Sequence, residues 1–215
     1  MVSVIIPVYN GAPFIGNTLK KIDKRKYDII VVDDGSTDDT SKVVKSLGYS
    51  VVRIKKNSGK ANACMTGLRK SKHDICVFID GDDQHDPREI KKLLKKMKNF
   101  DMVIGERCYK DIPSQRKISN SYARILVNYI TGYRFRDVLC GFRAVRRSKF
   151  NELQLKRGGY FFECEMILEA KRKDLKITTA DVNVNYDTGS RMGITKSMAV
   201  AAWLFKEMIK KSIRG

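Results

Sequence analysis

The first hundred residues alternate between short β-branched runs and longer segments with apolar residues at helical spacing, and this alternation limits the possible folds most. The β-branched runs predict strands at residues 2–8, 28–32, 50–54, 75–79 and 102–104. The intervening segments predict helices at residues 14–22, 37–47, 61–70 and 88–98. Because strands that alternate with helices favour a sheet covered on both faces, the pattern predicts an α/β fold with a mainly parallel sheet.

Polar motifs follow three of these predicted strands, each at the point where the strand ends. They are Tyr9-Asn10-Gly11, Asp33-Asp34-Gly35-Ser36 and Asp80-Gly81-Asp82-Asp83-Gln84-His85. In an open α/β sheet, the ligand crevice lies beyond the carboxyl ends of the strands. We therefore expect the three motifs to converge on one binding site.

The third motif, called the acidic motif below, places three carboxylates and an amide oxygen directly after a predicted buried strand. Like charges this close repel each other unless a cation lies among them, and clustered oxygen donors suit Mg²⁺ or Mn²⁺. Asp82 and Gln84 project to the same side if the backbone stays extended, so both can face one ion. The alternative is an acidic turn, with Asp86-Pro87 at the start of the next helix.

Two glycine-rich patterns that cradle phosphate are absent from the chain. No G-x-G-x-x-G follows the first predicted strand, and no G-x-x-x-x-G-K-[ST] occurs anywhere in the sequence. Phosphate therefore has to be neutralised in another way. A metal ion at the acidic motif, together with arginines and lysines from elsewhere in the chain, would serve this purpose.

The formal net charge of +19 implies a polyanionic partner: nucleic acid, an anionic membrane surface or a phosphorylated ligand. The five cysteines are odd in number and form no CxxC, which favours a reducing, cytoplasmic setting over disulfides or zinc. The chain begins as a strand without the basic region of a signal peptide, and no apolar run approaches the ~20 residues of a spanning helix.

Three segments resemble the nucleotide-sugar domain of family 2 glycosyltransferases, which have the GT-A fold. They are Ile5-Ile6-Pro7-Val8-Tyr9-Asn10, Val31-Val32-Asp33-Asp34-Gly35-Ser36-Thr37-Asp38 and Asp80-Gly81-Asp82. Further motifs look like those of polyprenyl-phosphate hexosyltransferases such as the dolichyl-phosphate mannose synthases. They are Asp80-x-Asp82-x-Gln84-His85-x-Pro87, Gly105-Glu106-Arg107, Asp137-Val138-Leu139-Cys140-Gly141-Phe142-Arg143 and Arg191-x-Gly193-x-Thr195-Lys196.

The resemblance implies roles for individual residues. Nucleoside contacts fall on Pro7, Tyr9, Val32 and Asp34, and sugar-nucleotide contacts fall on Asp80 and Gly81. Ligation of Mg²⁺ or Mn²⁺ falls on Asp82 and Gln84, and phosphate charge is handled by Arg107, Arg191 and Lys196. The implied catalytic set is Asp80, Asp82, Arg107, Arg191 and Lys196. Asp83 and Asp86 are left as turn and helix-start residues.

The resemblance also implies a reaction and its substrates. Related enzymes transfer a hexose, with inversion, from a nucleotide sugar to dolichyl or another polyprenyl phosphate, and GDP-mannose is the favoured donor. Many of them carry an acidic residue where this chain has Gly11, so UDP-glucose and UDP-N-acetylhexosamines remain alternative donors.

Two other classes of function compete with the transferase. A nucleic-acid-binding module would explain the positive charge, but it gives no reason for an acidic motif that faces the crevice. A sugar-nucleotide-binding protein without activity is the second alternative, and the intact Asp80, Asp82, Gln84, Arg107 and Lys196 argue against it.

Several residues have a structural alternative to their functional role. Asp34, with Ser36, can form an Asx turn that caps the next helix, and Tyr9 can be a core aromatic. Arg143 can pin a loop to an aspartate or contact phosphate. Lys60 can meet phosphate at a helix N-terminus or be an exposed lysine, and His85 can lie behind the metal ligands.

Residues 1–190 are predicted to form the GT-A domain, and residues 191–215 a basic loop and an amphipathic helix. Residues 188–195 suggest a mobile loop that acts as a lid and brings Arg191 and Lys196 onto the diphosphate, and the alternative is a plain basic connector. One side of the C-terminal helix carries Met198, Ala201, Ala202, Phe205, Met208 and Ile209, next to basic residues. This side either meets an anionic membrane surface or packs against the domain, and residues 125–130 offer a second amphipathic surface. We expect a peripheral protein on the cytoplasmic membrane face.

Overall fold

The computed structural model describes residues 1–108, 114–155, 161–186 and 194–214. Within these ranges the strands form one seven-stranded sheet in the order β3-β2-β1-β4-β6-β5-β7. The strands are β1 (Val2–Val8), β2 (Tyr27–Asp33), β3 (Val51–Arg53), β4 (Ile75–Phe78), β5 (Met102–Arg107), β6 (Arg143–Arg146) and β7 (Ile177–Val182). The helices are α1 (Ala12–Lys20), α2 (Thr40–Ser46), α3 (Lys60–Lys70), α4 (Ile90–Lys96), α5 (Ser114–Thr131), α6 (Arg147–Phe150), α7 (Phe162–Arg172) and α8 (Ile194–Arg214).

The sheet is mixed but mostly parallel, as predicted. β6 runs antiparallel to both of its neighbours, β4 and β5, while the other pairings are parallel. The sequence pattern did not predict β6 or β7. The sequence of β6 is Arg-Ala-Val-Arg, and its first arginine is only 1% exposed. Because both ends of this short strand are charged, its sequence does not look like that of a strand inside the sheet.

Helices cover both faces of the sheet, and alternate residues of β1 enter the two cores. Ile5 packs with buried residues of α3, α5, α7 and α8 on one face. Val4 and Ile6 pack with buried residues of α1, α2 and α4 on the other. A central strand with both faces buried explains why this segment reads as a continuous apolar run.

The C-terminal helix α8 packs against the domain through a face different from its predicted apolar side. Val200, Trp203 and Leu204 are buried, and the Trp203 ring lies edge-on to Phe161 at 5.5 Å between centroids. The predicted side instead includes Phe205 and Ile209, which are 52% and 42% exposed. The described part of the chain contains no helix with both the length and the apolar character needed to cross a membrane.

Candidate active site

The three polar motifs lie at one edge of the sheet, because β2, β1 and β4 are neighbours and run parallel. Pro7 pairs with Val32 in the register of β1 and β2, so these two predicted nucleoside contacts are adjacent. The Asp34 N–H donates to the Val8 carbonyl at 2.8 Å, which holds the second motif against the first. The edge therefore brings together residues that are more than 70 positions apart in the sequence.

The ends of β1 and β2 are joined through Asn10, a residue with a positive φ of 49°. Its N–H donates to Ser36 Oγ at 2.9 Å, and its side-chain oxygen accepts from the Thr37 N–H at 2.8 Å. Tyr9, which precedes it, is 40% exposed and is therefore not a core aromatic. The Tyr9 side chain is therefore accessible at this edge, and its contact with a nucleoside stays a prediction.

Asp34 is buried and holds the loop that precedes α3. Its carboxylate accepts from the Ser58 N–H at 2.9 Å and from the Gly59 N–H at 2.7 Å. In place of the Asx turn considered for Asp34, the loop after β2 is closed by Asp33, whose carboxylate accepts from the Ser36 N–H at 2.8 Å. The described contacts of Asp34 are thus structural, and its contact with a nucleoside stays a prediction.

The backbone of the acidic motif turns at Asp83, so the extended conformation under which Asp82 and Gln84 would project to the same side is not present. Asp83 has a φ of 61°, and Asp82 Oδ1 accepts from the Gln84 N–H at 3.2 Å. Asp83 pairs with Lys21 at 2.6 Å and Asp86 accepts from the Arg88 N–H at 2.9 Å, which are the turn and helix-start roles predicted for them.

The pKa of Asp82 is raised, as is typical of a carboxylate in a cation site without its cation. Burial raises the pKa of its carboxyl to about 6, and repulsion from Asp80 adds to the rise. Both effects disfavour the charged form, and a nearby divalent cation would reverse them. The side chains therefore fit a hard divalent ion in chemical type.

The protein alone supplies few ligands for such an ion. Among the described residues, no group of three or more His, Cys, Asp or Glu side chains is placed to hold a metal. Asp82 and Gln84 would contribute two oxygen ligands, and Mg²⁺ commonly completes its shell with substrate phosphates and water. The donor set thus suits an ion that is bound together with a diphosphate.

Lys60 is paired with two carboxylates and is therefore not the exposed lysine considered from the sequence, while its contact with phosphate stays a prediction. Its Nζ lies 2.7 Å from Asp80 Oδ1 and 2.8 Å from Glu163 Oε1. Burial alone would lower the pKa of Lys60, but attraction to Asp80 and Glu163 outweighs it and raises the pKa well above its usual value. Burial would likewise raise the pKa of Asp80, but Lys60 holds it below its usual value.

Arg107 forms a buried ion pair with Asp137. Its Nε and Nη2 donate to the two carboxylate oxygens at 2.5 and 3.0 Å. Burial opposes both charges, yet the pairing raises the pKa of Arg107 and lowers the pKa of Asp137. The positive charge expected to meet phosphate is therefore matched by an internal carboxylate, and the phosphate role of Arg107 stays a prediction.

Arg143 pins a loop, but to backbone carbonyls and not to the aspartate that was considered from the sequence. Its guanidinium donates to the carbonyls of Val138, Cys140 and Glu163 at 2.8, 2.8 and 2.6 Å. The side chain is only 1% exposed, so phosphate cannot reach it without a rearrangement. Arg143 thus fixes the segment before β6 to the first turn of α7.

His85, the last residue of the acidic motif, is buried. It is 4% exposed, and its ring packs on Phe142 with centroids 5.2 Å apart. Burial lowers the pKa of His85 to about 4, so the imidazole is neutral near pH 7. Its Nε2 lies 3.7 Å from Cys140 Sγ, and its position agrees with a residue that supports the motif from inside.

Two predicted site residues cannot be placed by their side chains. Arg191, with most of the suggested lid, falls in 187–193, outside the described residues. Lys196 belongs to α8, but its side chain is outside the described part of the chain. Conversely, no sequence pattern predicts Glu163 at the site, because its contact with Lys60 depends on how α7 packs relative to α3.

The model of the family described as glycosyl transferase family 2 matches residues 3–154. An uncharacterized protein of Methanocaldococcus jannaschii is 38% identical over 94% of this chain and 96% of its own. The UDP-N-acetylglucosamine–dolichyl-phosphate N-acetylglucosaminyltransferase of Methanococcus voltae is 31% identical over 86% of each chain. The dolichol-phosphate mannosyltransferase of Pyrococcus furiosus is 32% identical over 79% of this chain and 53% of its own.

A solved structure with the same fold is the glucosyl-3-phosphoglycerate synthase of Mycobacterium tuberculosis in complex with Mn²⁺, UDP and phosphoglyceric acid. It matches 98% of this chain and 78% of its own with a TM-score of 0.78, at 20% sequence identity. At that identity the likeness concerns the fold alone. The family match covers more than half of the chain, and the sequence relatives extend it towards the C-terminus, so this chain belongs to glycosyl transferase family 2.

Proposed function

We propose that this protein transfers a hexose from a nucleotide sugar to dolichyl or another polyprenyl phosphate, with inversion at the anomeric carbon. The observation that carries the proposal is the acidic motif at the shared edge of β1, β2 and β4, with an Asp82 carboxyl whose pKa is raised to about 6. Relatives that act on dolichyl phosphate support the acceptor.

Transfer of a hexose to a phosphate depends more on the neutralisation of negative charge than on proton transfer. A divalent ion bound with the donor would stabilise the negative charge that develops on the departing nucleoside diphosphate. An acceptor phosphate is already ionised near neutral pH, so it can attack without a strong general base. The residues of the chain then have to orient the donor, and Asp80, held by Lys60, is the described carboxylate that we assign to the sugar-nucleotide.

GDP-mannose is the donor that we favour, and a UDP-N-acetylhexosamine or UDP-glucose is the alternative. One relative with a dolichyl-phosphate acceptor is named for mannose and another for UDP-N-acetylglucosamine, so both donor types occur at similar identity. Labelled GDP-mannose, UDP-glucose and UDP-N-acetylglucosamine should each be incubated with Mn²⁺ and dolichyl phosphate in vesicles. We expect one donor to label the extracted lipid, and label on a soluble glycan alone would refute the acceptor.

Two adjacent aspartates allow a matched test of the metal role. Asp82→Asn should abolish Mn²⁺-dependent donor binding, because it removes a proposed ligand. Asp83→Asn is the control, since Asp83 faces Lys21 and asparagine tolerates its positive φ. Equal turnover by the wild type and Asp82→Asn would contradict the proposal.

We also propose that the protein acts as a peripheral protein on the cytoplasmic membrane face, and that residues 191–215 contribute to this contact. Exposed Phe205 and Ile209 on α8, and exposed Tyr122, Ile125 and Tyr129 on α5, support the proposal. Each nearby cation would add ~1 kcal/mol on an anionic surface. Sedimentation with anionic vesicles should exceed that with neutral ones, and a Phe205→Ser/Ile209→Ser variant should sediment less.

A further inference from the structure

Lys60, Asp80 and Glu163 form a charged cluster, called the Lys60 cluster below, at the edge of the candidate active site. Lys60 begins α3, Asp80 begins the acidic motif, and Glu163 lies in the first turn of α7. The Lys60 and Asp80 side chains are 29% and 28% exposed, whereas that of Glu163 is 10% exposed. The cluster therefore has an inner carboxylate and an outer carboxylate, with the ammonium between them.

The loop that leads into Lys60 also binds Asp34 of the second polar motif. The N–H groups of Ser58 and Gly59 bind Asp34, and the next residue is Lys60, which binds Asp80. Asp34 follows β2 and Asp80 follows β4, on either side of β1. One short segment thus fixes two carboxylates from different strands relative to each other.

Because Gly141 has no side chain, the Lys60 and Asp80 side chains can occupy the space beside it. A Cβ at this position would lie 2.4 Å from Lys60 Nζ and 2.7 Å from Asp80 Oδ2. Both atoms are the ends of flexible side chains, so an alanine would push the ion pair aside without a clash against backbone. Arg143 holds the segment before β6 and also binds the Glu163 carbonyl, which makes this side of the cluster rigid.

Among the described residues, the charges of Asp82 and the Lys60 cluster do not balance. Asp80, Asp82 and Glu163 bring three carboxylates, and among the described residues Lys60 is the cation that contacts two of them. With all four groups ionised, two negative charges remain, which a single divalent ion would neutralise. Each change of one charge in the Lys60 cluster should therefore alter the affinity for the ion, with a sign that Coulomb's law fixes.

We propose that Lys60 and Glu163 are positioning residues of this site: Glu163 holds the Lys60 ammonium, which fixes the Asp80 carboxylate, and the pair together sets the charge felt by a divalent ion. The inference rests on the proposed function, since Asp80 is taken to contact the sugar-nucleotide. Neither residue needs to touch the reacting atoms. Their effect is on the orientation of Asp80 and on the local charge.

Binding of Mn²⁺ alone, measured by electron paramagnetic resonance, tests the charge part of the proposal without any turnover. Lys60→Met removes a positive charge and should tighten Mn²⁺ binding by about three- to tenfold. Glu163→Gln removes a negative charge and should weaken it by a similar factor. A purely structural role would weaken binding in both variants, so shifts in the same direction would overturn the proposal.

The double variant Lys60→Met/Glu163→Gln separates charge from orientation. Its local charge equals that of the wild type, so its affinity for Mn²⁺ should return to within about twofold. Its kcat should stay low by about 10- to 100-fold, as in Lys60→Met, because Asp80 still lacks its partner. Wild-type kcat and donor KM in Lys60→Met or in the double variant would overturn the inference.

Two further variants complete the test. Glu169→Gln changes an equally buried carboxylate on α7 that pairs with Arg172 outside the site, and it should leave Mn²⁺ affinity and kcat unchanged. Gly141→Ala displaces the pair without a change in charge, and it should lower kcat while the melting temperature stays close to that of the wild type. Full activity of Gly141→Ala would contradict the positioning role. If the wild type itself labels no lipid, the proposed function fails, while the Mn²⁺ shifts still decide the charge part.

Discussion

Arg107 and Asp137 form a bidentate ion pair across the site, and the Asp137 side chain has no solvent exposure at all. The pair joins the end of β5 to the segment that leads into β6. The sequence analysis expected Arg107 to meet phosphate and did not assign a role to Asp137.

We expect Asp137→Asn to destabilise the protein by about 3–5 kcal/mol, because it leaves a buried guanidinium without its counter-charge. Urea denaturation measures this as a lower free energy of unfolding. Asp181→Asn is the matched control: it breaks an ion pair with Arg136 that is largely exposed, and its effect should be much smaller. Equal losses in the two variants would show that burial of the Arg107 pair does not matter.

Gly35 and Gly48 allow steric clash to be separated from backbone strain. Both have a φ of +75°, but a Cβ at Gly35 would lie 2.7 Å from the Asn57 backbone nitrogen, whereas nothing lies within 4 Å of one at Gly48. Gly48→Ala should cost about 1–2 kcal/mol from the left-handed conformation alone. Gly35→Ala should cost clearly more in the same urea titration and should weaken donor binding, because it moves the loop held by Asp34. Equal costs would refute the clash.

One of the five cysteine thiols should react fast with an alkylating reagent, and the other four should react slowly. Cys108 is exposed, whereas Cys64, Cys76, Cys140 and Cys164 are buried. Burial raises the pKa of Cys140 and Cys164 to about 12 and also raises that of Cys64 and Cys76. Because the thiolate is the reactive form, alkylation at pH 8 followed by mass spectrometry should modify Cys108 first. Rapid modification of Cys140 would contradict the described packing.

The metal-free protein should show a pH dependence from Asp82. Its folded-state pKa of about 6 lies above the ordinary value of 3.8, so the folded state binds the proton more tightly than the unfolded state. The contribution of Asp82 to the free energy of unfolding is therefore largest below about pH 4 and falls by about 1–2 kcal/mol as the pH rises through about 6.

The comparison with Asp82→Asn isolates this contribution. In the presence of a chelator, the melting temperature of the wild type minus that of the variant should decrease between pH 4.5 and pH 7. Mn²⁺ should restore the wild type at pH 7 but not the variant, because the ion takes the place of the proton. A difference that does not change with pH would contradict the raised pKa.

The strands around the site were predictable because each is an apolar run that ends at a polar motif. That rule located Asp34 after β2 and Asp80 after β4, and their meeting at one edge follows from parallel pairing. It failed for the conformation of the acidic motif, since the positive φ of Asp83 depends on local turn geometry and on its contact with Lys21.

The partners of the charged residues could not be predicted from the sequence. Glu163 is more than 80 positions from Asp80 and reaches Lys60 only because α7 packs beside α3. Arg143 follows Gly141-Phe142 in a family motif, but the motif does not tell that its guanidinium binds three carbonyls. Spacing identifies residues that share a strand end or a helix face, and it carries no information about contacts between distant elements.

The reversed direction of β6 has a consequence for where the chain tolerates changes in length. Each parallel strand ends at the site, so the loop that follows the strand lies there. β6 begins at the site instead, because Arg143 at its start pairs with Phe78 at the end of β4, so the segment that precedes β6 lies there. Insertions between α5 and β6 should therefore disturb the site. Insertions after β6 fall at the opposite edge, where Arg147 N–H meets the Asp74 carbonyl, and a reporter peptide grafted there should leave transfer activity intact.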